Sequence, residues 1–267
     1  MRICLAIAGS DAGGGAGIQA DLKTFAAHGV HGTCAVTSVI AENTQAVLSV
    51  FAMPKEIIQS QIRAVMEDFS VDAVKIGLLP NQEAAQAVSD ALSFYGVKHV
   101  VADPVLAATA GGCAIAAPNM ADIFCRCILP HVSLVTPNLP EAEGLTGMRI
   151  QTEDDMRAAA RAIHQMGAGA VLVKGGHLAG DACDLLFDGK QFTTFRAPRI
   201  QSAATHGTGC ILSSAIAANL ANGLDIPSSV AAAKTFITGA ILHGLPIGHG
   251  NGPANPLYEW TTRKEKV

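Results

Sequence analysis

Short, almost unbroken apolar runs alternate with longer amphipathic stretches along this chain, and that alternation predicts its elements. Ile3 to Ala8, Thr33 to Ile40, Ala73 to Ile76, His99 to Ala102, Leu134 to Thr136 and Ala170 to Lys174 are mostly continuous apolar runs, as strands buried on both faces are. Between them, Ala16 to Ala27, Lys55 to Asp68, Gln82 to Tyr95, Glu153 to Met166, Gly209 to Asn222 and Ser228 to His243 carry apolar residues at helical spacing. Pro54 heads the second of these, and Thr152 followed by Asp155 heads the fourth in the manner of a capping box. Asp188-Gly189-Lys190 departs from the rhythm: set between the β-rich runs Asp184 to Phe187 and Gln191 to Arg196, it predicts a hairpin. Strands alternating with helices predict an α/β fold with a parallel sheet covered on both faces. Ligands then bind beyond the carboxyl ends of the strands.

Composition narrows the class. A chain of 267 residues, 49% hydrophobic, can bury its core as a single α/β domain spanning residues 1–267. A formal net charge of -4, with no basic stripe or aromatic platform, argues against nucleic acid as a partner. Only Arg263-Lys264-Glu265-Lys266 is dense in charge, and it reads as a solvated end. No stretch reaches the roughly 18 apolar residues of a membrane span, and the run up to Gly9 reads as a buried first strand. The seven cysteines are scattered, with no CxxC pair and no zinc-ligand spacing, which points to reduced thiols and a cytoplasmic location. Cys125 and Cys127 are too close for an ordinary disulfide and read as packing residues.

Two segments carry chemistry. Thr205-His206-Gly207-Thr208-Gly209-Cys210 precedes an alanine-rich helix, so the backbone N–H groups of Gly207, Thr208 and Gly209 converge where the helix dipole favours an anion. Such a site should lower the pKa of Cys210, making it a candidate base or hydrogen-bond partner. The second segment, Gly9 to Asp21, is too glycine-rich for simple chain reversal. It lacks the Rossmann spacing, and the one acidic residue near the required place, Glu42, lies in the polar run Ala41-Glu42-Asn43-Thr44. A phosphate or small-molecule cradle fits better than a dinucleotide site. Asp11 reads as a turn residue, and His206 as a residue that shapes its loop.

Gly9-Ser10-Asp11, the run from Gly14 to Thr24, Val74-Lys75-Ile76-Gly77, Asp103-Pro104-Val105, Thr136 to Glu143, Val173 to His177 and Thr205 to Cys210 together resemble the hydroxymethylpyrimidine/phosphomethylpyrimidine kinases of thiamin biosynthesis. The match runs in order from Ile3 to the Gly250-Asn251-Gly252-Pro253 segment. The resemblance implies a ribokinase-like three-layer sandwich, ATP and Mg²⁺. It implies phosphorylation of the pyrimidine alcohol, then of its monophosphate. Its small-molecule partners are the pyrimidine and ATP, and a homodimer is the expected assembly. Residue by residue it gives Cys210 to the attacking oxygen, Gly207, Thr208 and Gly209 to the anion hole, and Asp21 and Gly9 to the pyrimidine. Asn138 and Glu141 would organise Mg²⁺, while Lys174 and Asp103 would face the nucleotide phosphates. A capping box would equally explain Asn138 and Glu141, and a snorkelling stem would explain Lys174.

The chain departs from the family where substrate is chosen. The usual Ala-Gln-Asn-Thr is here Ala41-Glu42-Asn43-Thr44, Lys-Ile-Gly-Met is Lys75-Ile76-Gly77-Leu78, and Lys-Ser-Gly-Asp is Thr109-Ala110-Gly111-Gly112. An ionised Glu42 accepts but does not donate, and should repel a phenolic ring that ionises to an anion, such as pyridoxal's. The expected substrate is therefore the pyrimidine monophosphate. A vitamin B6 kinase of the same fold is the alternative, followed by a non-catalytic nucleotide- or vitamin-binding regulator and then a dehydrogenase.

Overall fold

The computed structural model describes residues 1–106, 109–110, 113–176 and 182–264. Gly111, Gly112, His177, Glu265, Lys266 and the Cys113 side chain, on which parts of the sequence reading fall, lie outside the described residues. The strands are β1 (Ile3–Asp11), β2 (His31–Glu42), β3 (Val47–Ala52), β4 (Ala73–Ile76), β5 (Val100–Ala102), β6 (Thr109–Ala110), β7 (Cys113–Ala114), β8 (Leu134–Val135), β9 (Val171–Gly175), β10 (Ala182–Phe187) and β11 (Phe192–Ala197). The helices are α1 (Gly17–Ala27), α2 (Lys55–Met66), α3 (Gln82–Tyr95), α4 (Met120–Cys127), α5 (Leu139–Thr146), α6 (Glu153–Gln165), α7 (Thr208–Ala221), α8 (Ile226–Leu242) and α9 (Tyr258–Lys264).

Nine strands form one sheet in the order β11-β10-β9-β8-β5-β4-β1-β2-β3. Its middle, from β2 to β9, is parallel. β3 and the expected β10–β11 hairpin close the two edges antiparallel. Side chains alternate across it, as period-two geometry requires. Leu5, Ile7, Val74 and Ile76 pack with α2, α3, α4 and α6, while Cys4, Ala6, Ala8 and Ala73 pack with α1, α7 and α8. On this second face β1 and β4 present small residues, which lets the alanine-rich α7 settle close to them. The result is a helix–sheet–helix sandwich.

Two boundaries shift in ways that matter for the site. β1 does not end at Ala8: past a register shift at Ala8/Gly9 it stays paired with β2 through Asp11. β2 continues through Glu42, so Glu42 stands at a strand end and not in a loop. The unpredicted strand β3 and helices α4, α5 and α9 are short. Pro54 caps α2, and Thr152 and Asp155 make a complete capping box on α6. No described helix is long and apolar enough to cross a membrane.

Candidate active site

The carboxyl ends of β1, β4, β5, β8 and β9 converge with the N-terminus of α7. Gly207 sits in the left-handed region at φ 79°, the N-cap of α7, and a Cβ there would collide with the Gly15 carbonyl. Only glycine can hold this turn against the β1–α1 loop. At Gly209 an added Cβ would lie 2.9 Å from Asp103 Oδ2 and 3.4 Å from Lys174 Nζ. The structure thus brings together the expected phosphate-facing residues and the anion-binding loop.

Lys174 Nζ donates to Asp103 Oδ1 at 2.7 Å, and Thr136 Oγ1 donates to the same oxygen at 3.0 Å. Burial alone would lower the Lys174 pKa, but Asp103 and Glu141 outweigh it and raise it. The lysine stays charged. It does not snorkel to solvent, because its head group is held inside the site. Asn138 and Glu141 form the capping box of α5: Glu141 N–H donates to Asn138 Oδ1 at 2.9 Å, and Asn138 N–H donates to Glu141 Oε2 at 2.8 Å. Burial pushes the Glu141 carboxyl up to about 7, with Lys174 opposing and Asp103 reinforcing. The cap engages Asn138 Oδ1 and Glu141 Oε2, and Glu141 keeps Oε1 without a hydrogen-bond partner among the described residues.

Beyond Lys174 a groove opens along α7 and α8, with cavities of about 240 and 360 Å³ that share Gly176, Thr208 and Lys234. Lys234, which the sequence reading missed, donates to Asp184 Oδ2 at 2.6 Å. A lone lysine in the apolar α8 was the available signal.

Three expectations are corrected. Asp21 is not the open carboxylate expected: it is 0% exposed, and its carboxylate accepts from Lys75 Nζ at 2.7 and 2.9 Å and from Ser214 Oγ at 2.7 Å. Helical spacing puts Asp21 on the inner face of α1 with Ile18 and Phe25, which explains its burial. The Cys210 thiol is not lowered. Burial pushes it up to about 11, overcoming the opposing charge of Lys75. Glu42 is not a plain carboxylate either, since burial and then Asp11 push it up to about 7.

At the other end of the site, Leu78 packs with Ile40, Val47 and Ile115. A Cβ on Gly9 would lie 3.2 Å from both Leu78 and Ile40. Gly9 and Leu78 therefore share one neighbourhood, and Glu42, two positions past Ile40 and across a register shift at the end of β2, lies with Asp11 and His206, its carboxylate within 4.8 Å of both. Asp11 is the turn organiser expected of it: its carboxylate accepts from the N–H groups of Gly13, Gly15 and Ala16 at 2.6 to 2.9 Å.

Residues 11–255 match the phosphomethylpyrimidine kinase family. A hydroxymethylpyrimidine/phosphomethylpyrimidine kinase of Streptomyces coelicolor is 45% identical over 95% of this chain and 93% of its own length. Among solved structures, the ADP complex of Bacillus subtilis pyridoxal kinase is 36% identical with a TM-score of 0.90, covering 98% of this chain and 99% of that one. A phosphomethylpyrimidine kinase from Clostridium difficile is 40% identical with a TM-score of 0.81, covering 90% and 100%. The fold is the ribokinase-like α/β sandwich.

Proposed function

Since the chain belongs to the phosphomethylpyrimidine kinase family, we propose that it transfers the γ-phosphoryl group of ATP to the pyrimidine monophosphate of thiamin biosynthesis, and more slowly to the free alcohol. The observation that carries the reading is the meeting of Gly209 with Asp103 and Lys174 at the head of α7. Phosphoryl transfer asks chiefly for positioning and neutralised charge. The N–H groups of Gly207 and Gly209, that of Thr208, held only by a long 3.4 Å bond to the Thr205 carbonyl, and the Lys174 ammonium supply both, and Cys210 orients the attacking oxygen. The groove lined by Thr208 and Lys234 takes the nucleotide, and Gly9, Leu78 and Glu42 take the ring. ATP consumption that depends on added pyrimidine phosphate tests the assignment; binding of both without turnover would support a regulator instead.

The donor set fits a magnesium ion: Glu141 offers a hard oxygen beside Asp103, where two acidic groups in low dielectric are relieved by a cation. Bound there, the ion would neutralise phosphate charge. Glu141 would hold it, with Asn138 fixing Glu141. Glu141→Gln is expected to raise the magnesium requirement and lower turnover more than it weakens pyrimidine binding, with an unchanged circular dichroism spectrum. Equal losses of stability and activity would assign Glu141 to the cap alone. The reading extends to a homodimer, for which exposed Leu48 and Phe51 on edge strand β3 are available, and to the cytoplasm, where free thiols such as Cys34, Cys125 and Cys127 persist.

Pyridoxal is the second substrate to weigh, because the pyridoxal kinase likeness covers nearly the whole chain. With its carboxyl near 7, Glu42 is split between acid and carboxylate at neutral pH. The protonated form both donates and accepts, as glutamine does. Discrimination against pyridoxal is therefore expected to widen as pH rises from about 6 to about 8 and Glu42 ionises. Glu42→Gln combined with Leu78→Met should broaden activity toward pyridoxal and the free alcohol and flatten that pH dependence. Unchanged substrate ratios in the double variant would remove both positions from selectivity.

A further inference from the structure

Three segments meet at one side chain outside the reacting centre. His206 Nε2 lies 3.2 Å from Asp11 Oδ2, the same oxygen that accepts from Gly15 and Ala16. Its backbone is fixed to a third segment: His206 N–H donates to the Gly252 carbonyl at 3.1 Å, and Ala254 N–H to the His206 carbonyl at 3.2 Å. The next residue is Gly207, the left-handed cap pressed on the Gly15 carbonyl. Glu42, from the end of β2, brings an oxygen within 4.8 Å of the ligand atoms of both Asp11 and His206. One imidazole thus faces a carboxylate from the ring-binding end while its own chain begins the anion-binding loop.

We propose that His206 is a positioning residue, clasping the anion-binding loop at the head of α7 onto the β1–α1 loop through Asp11 and linking it to Glu42 in the ring pocket. It sets the spacing between phosphate and pyrimidine, and takes no proton from substrate.

Charge supports the geometry. Burial would raise the Asp11 carboxyl, but hydrogen bonds from His206, Ala16 and Gly13 carry it down to about 2. The Asp11 hydrogen bond raises His206 above its ordinary value, against burial, with Glu42 helping. The charged groups facing the imidazole are Asp11 from β1 and Glu42 from β2; Lys23 of α1 is tied to the neighbouring Gly14 carbonyl. The Gly252–Ala254 segment contributes none. His206 is held more firmly when protonated, so the clasp is complete below the ordinary histidine pKa and is lost as pH rises through the raised one. Four N–H donors already occupy the Asp11 carboxylate, which favours a clasp over an ion site.

The inference rests on the kinase reading for its activity arm only. NMR titration of the histidines in the full-length protein, assigned with His206→Gln, should place His206 above 6.5, the ordinary value. In Asp11→Asn it should fall by about one unit or more, the usual effect of removing a hydrogen-bonded opposite charge. His206→Gln should lower kcat roughly ten-fold or more through misplacement, with a smaller change in the KM for ATP, and should abolish the alkaline fall in kcat. A His206 titration at or below 6.5 in the unaltered protein would overturn the clasp, and so would a pH profile left unchanged by His206→Gln. An inactive protein with a raised His206 would fail the kinase reading alone.

Discussion

Replacing Cys210 with alanine is expected to lower kcat about a hundred-fold or more, the usual cost of losing a group that holds or deprotonates the attacking atom, while ATP still binds. The geometry sets the kind of role. Cys210 lies in the first turn of α7, beside the N–H groups of Thr208 and Gly209, and its thiol is pushed up to about 11 chiefly by burial. A thiolate base would be scarce at neutral pH. In phosphoryl transfer the transition state is loose, so the attacking oxygen, a phosphate oxygen of the monophosphate or the hydroxyl of the alcohol, needs aim more than early deprotonation. A neutral sulfur that orients the oxygen is enough. Cys210→Ser should accordingly keep more activity than Cys210→Ala, and iodoacetamide should alkylate Cys210 slowly near pH 8 and faster as pH rises. Near-normal kcat in Cys210→Ala, measured beside an unchanged ATP affinity, would leave catalysis to the loop glycines and Lys174.

The second large effect concerns stability. Lys75 and Asp21 are both 0% exposed and joined at 2.7 Å, with Ser214 completing the set. The charge on Lys75 is opposed by burial and restored by Asp21. Lys75→Met leaves a carboxylate without its partner in the interior, and breaking such a pair costs about 3–5 kcal/mol. For a chain near this size each kcal/mol moves Tm by roughly 2–4 °C. Thermal or urea unfolding should show a loss of that order for Lys75→Met and for Asp21→Asn. The double variant Asp21→Leu/Lys75→Met should recover much of it, because no charge is then stranded. Single variants as stable as the parent would mean that Lys75 and Asp21 are not an energetically coupled pair. Ser214 lies one helical turn after Cys210, so the pair also supports the floor beneath the thiol.

The alternating runs made the sandwich legible, since continuous apolar strands between amphipathic helices leave few other packings. β3 and α5 were harder. β3 is an edge strand with Leu48 and Phe51 exposed, so it lacks the unbroken buried signature of the central strands, and α5 spans a single capping box and little more. In the site, glycine spacing marked the turn at the head of α7 because backbone geometry depends on residue type. Burial did not show in the same way. Asp21 and Lys75 are 54 positions apart, and nothing local to either names the other, although an acid on the inner face of α1 and a lysine inside an apolar strand each signalled a buried partner. The same gap explains Cys210: a helix N-terminus predicts a lowered thiol, and only the packed structure reveals the desolvation that reverses it. Glu42 was misplaced by one strand boundary, which turned a solvated carboxylate into a half-buried one beside Asp11.

The measurement closest to the central claim is a substrate panel with Mg-ATP at one pH, comparing kcat/KM for the hydroxymethylpyrimidine, its monophosphate and pyridoxal. On the proposed reading the monophosphate would gain binding from its phosphate in the anion-binding half of the site, whereas the alcohol and pyridoxal would depend on the ring pocket assigned to Gly9, Leu78 and Glu42 alone. The account predicts the highest efficiency on the monophosphate, a lower one on the alcohol and the lowest on pyridoxal. Pyridoxal turned over as well as the pyrimidine monophosphate, or no pyrimidine-dependent turnover, would contradict it.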